Sequence, residues 1–318
     1  MNKQAIGLRA LVFALVIVIT ATGLTSCQNR LVQDSSSSEV YTIRVDSDTV
    51  GAAFGPVQYD IGNTYLGEKQ YAEAIKAYTS AIRNGYKDIN VYINRGTAYL
   101  ELGLNSGAIA DASTSLDMNI TEPKAYRLRG KAYYKSGEYS NAVADFSKAI
   151  ELAPGNKEDY LGRGIALVQI AEYSQAIEDF VKAVSLDPKY PDAFYWRAFV
   201  NEKYRQNYLS ALEDYTKVIN LNRAYVYDAY NSRGETYIKL NEFEKAISDF
   251  SVLLEFDPDY WLAYYNRGLC YAGIKQYQKA VNDFQLYLSL DVKNKYGEVQ
   301  SADYLATYYK PFLEGYIH

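Results

Sequence analysis

Small and aromatic residues recur along this chain at one fixed step. Gly130 is followed by Gly164 thirty-four residues on, Ala142 by Ala176, Phe146 by Phe180, Ala149 by Ala183 and Pro154 by Pro188. A helix repeats its apolar face every three to four residues, so the longer interval marks a unit copied in tandem, a solenoid or array. With the glycine placed eighth, units begin near residues 55, 89, 123, 157, 191, 227 and 261. The eighth position then reads Gly62, Gly96, Gly130, Gly164, Ala198, Gly234 and Gly268. The twentieth is alanine throughout, from Ala74 and Ala108 to Ala246 and Ala280. The twenty-fourth is Tyr78, Ala112, Phe146, Phe180, Tyr215, Phe250 and Phe284, so the second unit is the weak one, with Ser115 also standing where alanine is usual. One extra residue between Ala198 and Ala211, and another between Ala211 and Gly234, mark the fifth unit as irregular. Past residue 294, Val299, Ala302, Leu305, Tyr309 and Phe312 keep helical spacing, with Pro311 placed to kink or end that helix.

This framework resembles the tetratricopeptide repeat, a helix–turn–helix unit of 34 residues, over roughly residues 55–294. The resemblance implies an all-α fold, an α-α superhelix (a TPR solenoid) of about seven helix-turn-helix repeats, closed at 295–318 by a C-terminal solvating helix that caps the last repeat. The physical chemistry agrees. Glycine costs up to about 1 kcal/mol against alanine inside a helix, so its recurrence needs a packing reason. Glycine or alanine lets two helices approach, and an aromatic ring one turn away fills the space beside them. Pro154, Pro188 and Pro258 sit where one helix must stop before the next begins. A single hairpin of this kind cannot bury its apolar face alone, so stability comes from stacking neighbours.

The N-terminus follows a different pattern. Lys3 and Arg9 precede an unbroken apolar run from Ala10 to Ile19, too short for the roughly 20 residues that span a bilayer, and residues 1–26 read as an export signal. Leu24-Thr25-Ser26-Cys27 resembles the bacterial lipobox, which implies a lipoprotein acylated at Cys27, the first residue of the mature chain. Stable anchoring needs more than one acyl chain. Gln28 after the cysteine, by the sorting rule of enterobacterial lipoproteins, points to the outer membrane. Residues 27–54 carry no repeat signature and include the polar run Ser35 to Ser38; they read as a flexible tether reaching on the order of 25–30 Å. Val40 to Val45 alternates well enough for a short strand, with no pairing partner evident in the sequence.

Charge adds a second layer to the repeat. The seventh position is arginine in six units, Arg95, Arg129, Arg163, Arg197, Arg233 and Arg267, and the twenty-third is aspartate in the same six, Asp111, Asp145, Asp179, Asp214, Asp249 and Asp283. The first unit has Ile61 and Ala77 there, lacking both. Pairing each aspartate with the next unit's arginine would strand Arg95 and leave Asp283 to the cap, whereas pairing within a unit leaves none over. Six structural ion pairs inside the repeats are therefore expected. Breaking one that is partly buried would cost about 3 kcal/mol.

Candidate chemistry is sparse. The chain has 318 residues, 48% of them hydrophobic, which supports a large folded body. Tyrosine is the outlier at 34 copies against 11 Phe and 2 Trp. Lys plus Arg is 33 and Asp plus Glu 38; without Lys3 and Arg9 the balance is 31 against 38, a net of −7, which argues against nucleic acid as a partner. The sole histidine is the terminal His318, so no histidine-based triad can form, and neither a nucleophile elbow nor a phosphate loop is present. Cys270 stands at the tenth position, where other units have Ala98, Ala132, Ala166 and Thr236, and reads as a small packing residue. The expectation is no enzyme, no metal and no cofactor.

The family resemblance implies a groove lined by the first helix of each unit, at its second, fifth, sixth, ninth and twelfth positions. Here those positions include Tyr59, Asn63, Asn94, Tyr195, Phe199 and Tyr265. In the third unit Lys124, Arg127, Lys131 and Lys135 lie three or four apart and share a helix face, a candidate seat for an acidic or C-terminal carboxylate of a peptide partner. The carboxylate clamp of chaperone-binding members is matched at Asn63, Asn94 and Lys124 and departs at Tyr59 and Leu128, so no clamp is assigned. The expected function is a lipid-anchored scaffold that recruits other envelope proteins or peptides from the outer membrane, facing the periplasm, with a second copy of the chain (a homo-oligomer) among the partners considered. Two alternatives stand beside it: a pilotin-like assembly factor for a pilus or secretion system, and a peptidoglycan- or carbohydrate-binding structural lipoprotein.

Overall fold

Two helices form in each of the seven units, fourteen among the described residues. The computed structural model describes the backbone of residues 31–33, 40–42, 47–221 and 225–295, and the side chains of 54–221 and 225–290. In chain order the helices are α1 (Ser47–Gly67), α2 (Tyr71–Arg83), α3 (Ile89–Glu101), α4 (Asn105–Met118), α5 (Pro123–Lys135), α6 (Tyr139–Leu152) and α7 (Lys157–Gln169). They continue with α8 (Tyr173–Leu186), α9 (Pro191–Lys203), α10 (Tyr208–Leu221), α11 (Val226–Lys239), α12 (Phe243–Phe256), α13 (Trp261–Gly273) and α14 (Tyr277–Lys295).

Local chemistry starts and stops these helices. Asp88, Glu122 and Asn156 accept from the backbone N–H two residues on and so cap α3, α5 and α7, while Pro123 and Pro191 occupy the first helical position, where a missing N–H costs nothing. Each hairpin turns through one left-handed residue, at the fifteenth position in six units and the sixteenth in the fifth, with φ between +54° at Gln206 and +79° at Gly137. Two of these seven are glycine, Gly103 and Gly137; Lys69, Ala171, Gln206, Asn241 and Lys275 hold the same conformation with a side chain. A non-glycine residue there carries roughly 1–2 kcal/mol of steric cost, offset by backbone bonds such as Glu172 N–H to the Leu167 carbonyl at 2.9 Å. In the fifth unit the turn between α9 and α10 holds the first extra residue.

The chain divides into two compact units, one ending at Leu152 and the other beginning at Ala153. In the first, α1 to α6 pack each on the next, and the first helices α1, α3 and α5 also touch in succession. Its cores hold Ala74, Tyr78, Val91 and Ala98, then Ile93, Leu116, Tyr126 and Leu128. In the second, α7 to α14 pack in the same way, around Phe194, Tyr215 and Val218 and then Phe250, Leu253 and Leu254. The twentieth-position alanines from Ala74 to Ala246 are wholly buried, as small residues at helix crossings must be.

Two local expectations are corrected. Val40–Thr42 has a partner: it pairs antiparallel with Leu31–Gln33, inside the stretch read as a flexible tether. Strands of three residues are too short to advertise their pairing by pattern. The first helix also begins at Ser47, before the predicted unit start at 55 and inside the stretch read as a tether, and it carries Pro56 in its interior. The export signal of residues 1–26, Cys27 and the capping segment after Lys295 lie outside the described residues.

Candidate functional site

The arginine–aspartate layer forms within each of the six units that carry both residues. All six arginines fork onto the aspartate of their own repeat, Nε to one carboxylate oxygen and Nη2 to the other: Arg95 to Asp111 at 2.8 and 2.7 Å, Arg129 to Asp145 at 2.7 and 2.9 Å, Arg197 to Asp214 at 2.7 Å for both. Arg163–Asp179, Arg233–Asp249 and Arg267–Asp283 repeat the geometry. The aspartate side chains are 5–8% exposed and the arginines 15–25%, which puts these pairs in the regime where removing one partner strands a desolvated charge. Burial pushes the Asp179, Asp214 and Asp249 carboxyls up, and their arginines pull them back down.

The remaining guanidinium nitrogen does something the spacing did not disclose. Nη1 reaches back to a hydroxyl on the preceding unit, from Arg95 to Thr79 at 3.1 Å, Arg129 to Ser113 at 3.2 Å, Arg233 to Thr216 at 3.0 Å and Arg267 to Ser251 at 3.1 Å. Each of these arginines therefore ties its own hairpin together and links it to its predecessor. Aromatic rings one turn away on either side lie beside the guanidinium, Tyr92 and Tyr99 beside Arg95, Tyr230 and Tyr237 beside Arg233, at 5.5–5.9 Å. Part of the tyrosine excess is framework of this kind.

The eighth and twenty-fourth positions meet as expected from close helix approach. A Cβ on Gly164 would fall 2.5 Å from the Phe180 ring, whereas one on Gly130 would sit 3.4 Å from Phe146, an ordinary contact. In the second unit, where Ala112 leaves space, Leu128 of the following unit moves in: its Cδ2 would be 2.7 Å from a Cβ on Gly96. That packing duty explains why Leu128 departs from the clamp pattern.

The groove residues fall into three sets. Tyr59, Asn63 and Asn94 come together in the first compact unit around Tyr78. The buried Tyr78 hydroxyl donates to Asn63 Oδ1 at 2.9 Å, Asn94 Nδ2 donates to the same oxygen at 2.9 Å, and Tyr59 stacks on Tyr86 with ring centres 5.0 Å apart. Tyrosine replaces phenylalanine at that twenty-fourth position, so its hydroxyl needs an acceptor, and burial raises its pKa far above the usual phenol value. Asn63, predicted at a groove position, is thus part of the core's polar satisfaction.

Lys124, Arg127, Lys131 and Lys135 all stand on α5. Lys124 and Lys131 are exposed and Arg127 half-buried, while Lys135 extends its Nζ to the Leu100 carbonyl at 3.3 Å, closing the end of α3. Lys135 also lies in the last turn of its helix, where the macrodipole favours a cation. Lys124 lies in the first turn, where the dipole disfavours one, and no acidic residue shares that turn. Its placement has no stabilising account within the helix.

Tyr195, Phe199 and Tyr265 belong to the second compact unit. Tyr195 stacks on Tyr225 at 4.7 Å, Phe199 meets Trp196 edge-on at 5.6 Å, and Tyr265 lies against Phe284 and Tyr287 at 6.0 and 5.1 Å. Tyr265 is thereby separate from the other two, which share one aromatic strip.

Sequence reasoning missed Glu202. It occupies the twelfth position of the fifth unit, formally in the groove, yet is 1% exposed. Its Oε2 accepts from the Tyr215 hydroxyl at 2.9 Å, and its Oε1 meets Lys239 at 2.9 Å and Lys203 at 3.0 Å. Tyr215 is the other twenty-fourth-position tyrosine, so the same rule that makes Tyr78 need Asn63 makes Tyr215 need Glu202. Cys270 is buried and unpaired, its thiol pushed up to about 12 by that burial, which leaves it a packing residue. Among the described residues there is no group of three or more metal-ligating side chains, and no helix is long and apolar enough to cross a membrane.

Comparison with known proteins matches residues 123–156 to the family described as Tetratricopeptide repeat, 166–204 to TPR repeat, and 59–123 with 232–291 to a further Tetratricopeptide repeat family. The chain is 38% identical over 63 residues to the Hsp70-Hsp90 organizing protein of Triticum aestivum, a stretch covering 20% of this chain and 11% of that protein. It spans only 10–20% of the length of the curated relatives it matches. Among solved structures it is similar to the MamA protein, at 28% identity and a TM-score of 0.51, covering 56% of this chain and 96% of that one. It also resembles the C-terminal part of a TPR repeat-containing protein from Cytophaga hutchinsonii, at 20% identity and a TM-score of 0.62, covering 77% and 98%.

Proposed function

We infer, from a chain that belongs to the tetratricopeptide repeat family, that its first-helix face holds protein partners and that α5 supplies one seat for them. The fold is a protein-interaction scaffold. On α5, Lys124 with Arg127 and Lys131 forms a basic face suited to an acidic segment or C-terminal carboxylate of a partner peptide. The observation that carries this reading is Lys124: an exposed cation in the first turn of a helix, against the dipole, whose ammonium makes no ion pair or hydrogen bond among the described residues, the nearby Glu122 carboxylate being engaged by the Lys124 backbone N–H. Lys135, by contrast, has a structural explanation in its bond to Leu100.

The same proposal places the scaffold in the cell envelope. Cys27, at the end of a lipobox-like stretch, would carry the lipid, and the outer membrane facing the periplasm is the compartment that Gln28 favours. The scaffold would then collect soluble envelope proteins at that membrane. Affinity capture from solubilised envelopes tests it, with Lys124→Glu, Arg127→Glu and Lys131→Glu combined as the control: the captured set should shrink, and an unchanged set would remove α5 from the account. A Cys27→Ser chain should lose its membrane fractionation; retention at the membrane would remove the anchor.

A further inference from the structure

Within the second compact unit, an aromatic strip runs unbroken across one face. Tyr173 stacks on Tyr204 with ring centres 4.2 Å apart and planes 12° from parallel; Tyr204 meets Phe199 at 6.0 Å, Phe199 meets Trp196 at 5.6 Å, Trp196 meets Tyr195 at 6.2 Å, and Tyr195 stacks on Tyr225 at 4.7 Å. All six rings keep some exposure, and Tyr204 is 46% exposed. Tyr225 holds its place with a left-handed backbone, φ +66°, unusual for an aromatic residue and a sign that its position is imposed. The strip exceeds what framework needs: none of these rings except Tyr195 touches a twenty-fourth-position ring.

At the groove positions of this unit charge has one sign, although Lys203 and Arg205 flank Tyr204. The groove positions of α7, α9, α11 and α13 carry Glu158, Asp192, Glu202, Asp228 and Glu235, with no lysine or arginine among them. Glu202 and Glu235 already have lysine partners. Asp192 and Asp228 have neither a side-chain hydrogen bond nor an ion pair among the described residues, although both act on the Tyr225 ring electrostatically. Rings with nearby unpaired carboxylates attract a cation twice over, through the π face and through the charge. The chain itself fills such a corner close by: Lys157 Nζ stands 4.3 Å over the Tyr190 ring and 2.5 Å from Asp187, a few residues before Asp192.

We propose that this strip is a second partner site, and that it takes a basic peptide segment whose arginine or lysine side chains lie over Tyr195, Trp196 and Tyr225 and pair with Asp192 and Asp228. It rests on the reading of first-helix faces as partner sites, but its preference is opposite in sign to that of α5. A glycan could stack on the same rings; the unpaired carboxylates and the Lys157 corner favour the cation.

The test uses the full chain and a fluorescein-labelled nonapeptide with arginine at alternate positions, alongside a copy with glutamate in those positions. Anisotropy and quenching of tryptophan emission are both read. The arginine peptide should bind at least about tenfold more tightly than the glutamate copy, and Asp192→Asn with Asp228→Asn should remove about the same factor. Those two changes keep side-chain size and break no side-chain bond; each removes a carboxylate from the first turn of a helix, so a melting temperature that falls only slightly verifies the fold. As a check independent of any variant, binding to the unaltered chain should weaken with added salt. Equal binding of the two peptides, or binding of a peptidoglycan oligosaccharide with none of the arginine peptide, overturns the proposal. If envelope proteins are still captured through α5 in that case, only this inference falls, and the reading of the scaffold stands.

Discussion

The two compact units use one framework and carry opposite charge at their groove positions. In the first, groove positions carry Lys124, Arg127 and Lys131 against a single acid, Asp60; in the second they carry five carboxylates and no base. Beneath both lies the same forked pair, Arg129–Asp145 in one and Arg233–Asp249 in the other, with the same rearward bond to a hydroxyl of the preceding repeat. Positions that hold the stack are therefore uniform, and the first-helix positions around them have diverged in sign, with Glu202 alone of the five carboxylates drawn into the core. A repeat protein gains separate partner preferences in this way without altering its packing.

The largest effects should come from breaking the shared framework. Asp145→Ala and Asp249→Ala each leave a desolvated guanidinium and should each cost about 3 kcal/mol in chemical denaturation, alike in the two units. A cost below about 1 kcal/mol would mean that these pairs behave as surface pairs. Gly164→Ala comes next, at about 1–3 kcal/mol, because its Cβ would enter the Phe180 ring; Gly130→Ala, at an ordinary contact distance from Phe146, should be near neutral or stabilising through helix propensity. Equal losses at the two glycines would contradict the packing description.

Alkaline pH separates the units more finely. Tyr78 in the first and Tyr215 in the second have pKa values raised by burial, so each contributes stability that is complete below the ordinary phenol value of 10.0 and is lost as pH rises beyond it. Cys270, in the second unit only, adds the same sign of dependence earlier, from its ordinary value of 9.0 up to about 12. Denaturation followed with a probe in each unit should show the second losing stability from about pH 9, and Cys270→Ala should remove that early part. The smallest effect is local: Ala171→Gly relieves a left-handed turn and should stabilise by up to about 1 kcal/mol, while the same exchange at an ordinary helical alanine destabilises.

Much of this architecture was legible in the spacing. Recurrence at 34 residues located the hairpins, and counting unmatched charges placed the ion pairs within units, where the guanidinium forks lie. The rearward bonds from Nη1 were harder to see, although Thr79, Ser113, Thr216 and Ser251 share one repeat position, because a hydroxyl there looks like any exposed helix residue. Leu128 filling the space left by Ala112 is compensation across two repeats, which a column-by-column reading cannot show. Glu202 was hidden for a physical reason: a carboxylate at a groove position signals solvent until its tyrosine and two lysines are brought to it by the fold. The start of the first helix at Ser47 was hidden because a count back from the eighth-position glycine stops at the repeat unit and cannot show how far its first helix extends upstream.

The central claim is that partner choice resides on the diverging faces and stability in the uniform layer beneath. Lys124→Glu tests it most directly, with melting temperature and envelope-protein capture measured on the same preparation. The account predicts that the two move apart: the melt holds or rises slightly, since an acid suits the first turn of α5, while capture through that face falls. Capture that is unchanged, or that falls only in step with a lower melting temperature, would contradict it.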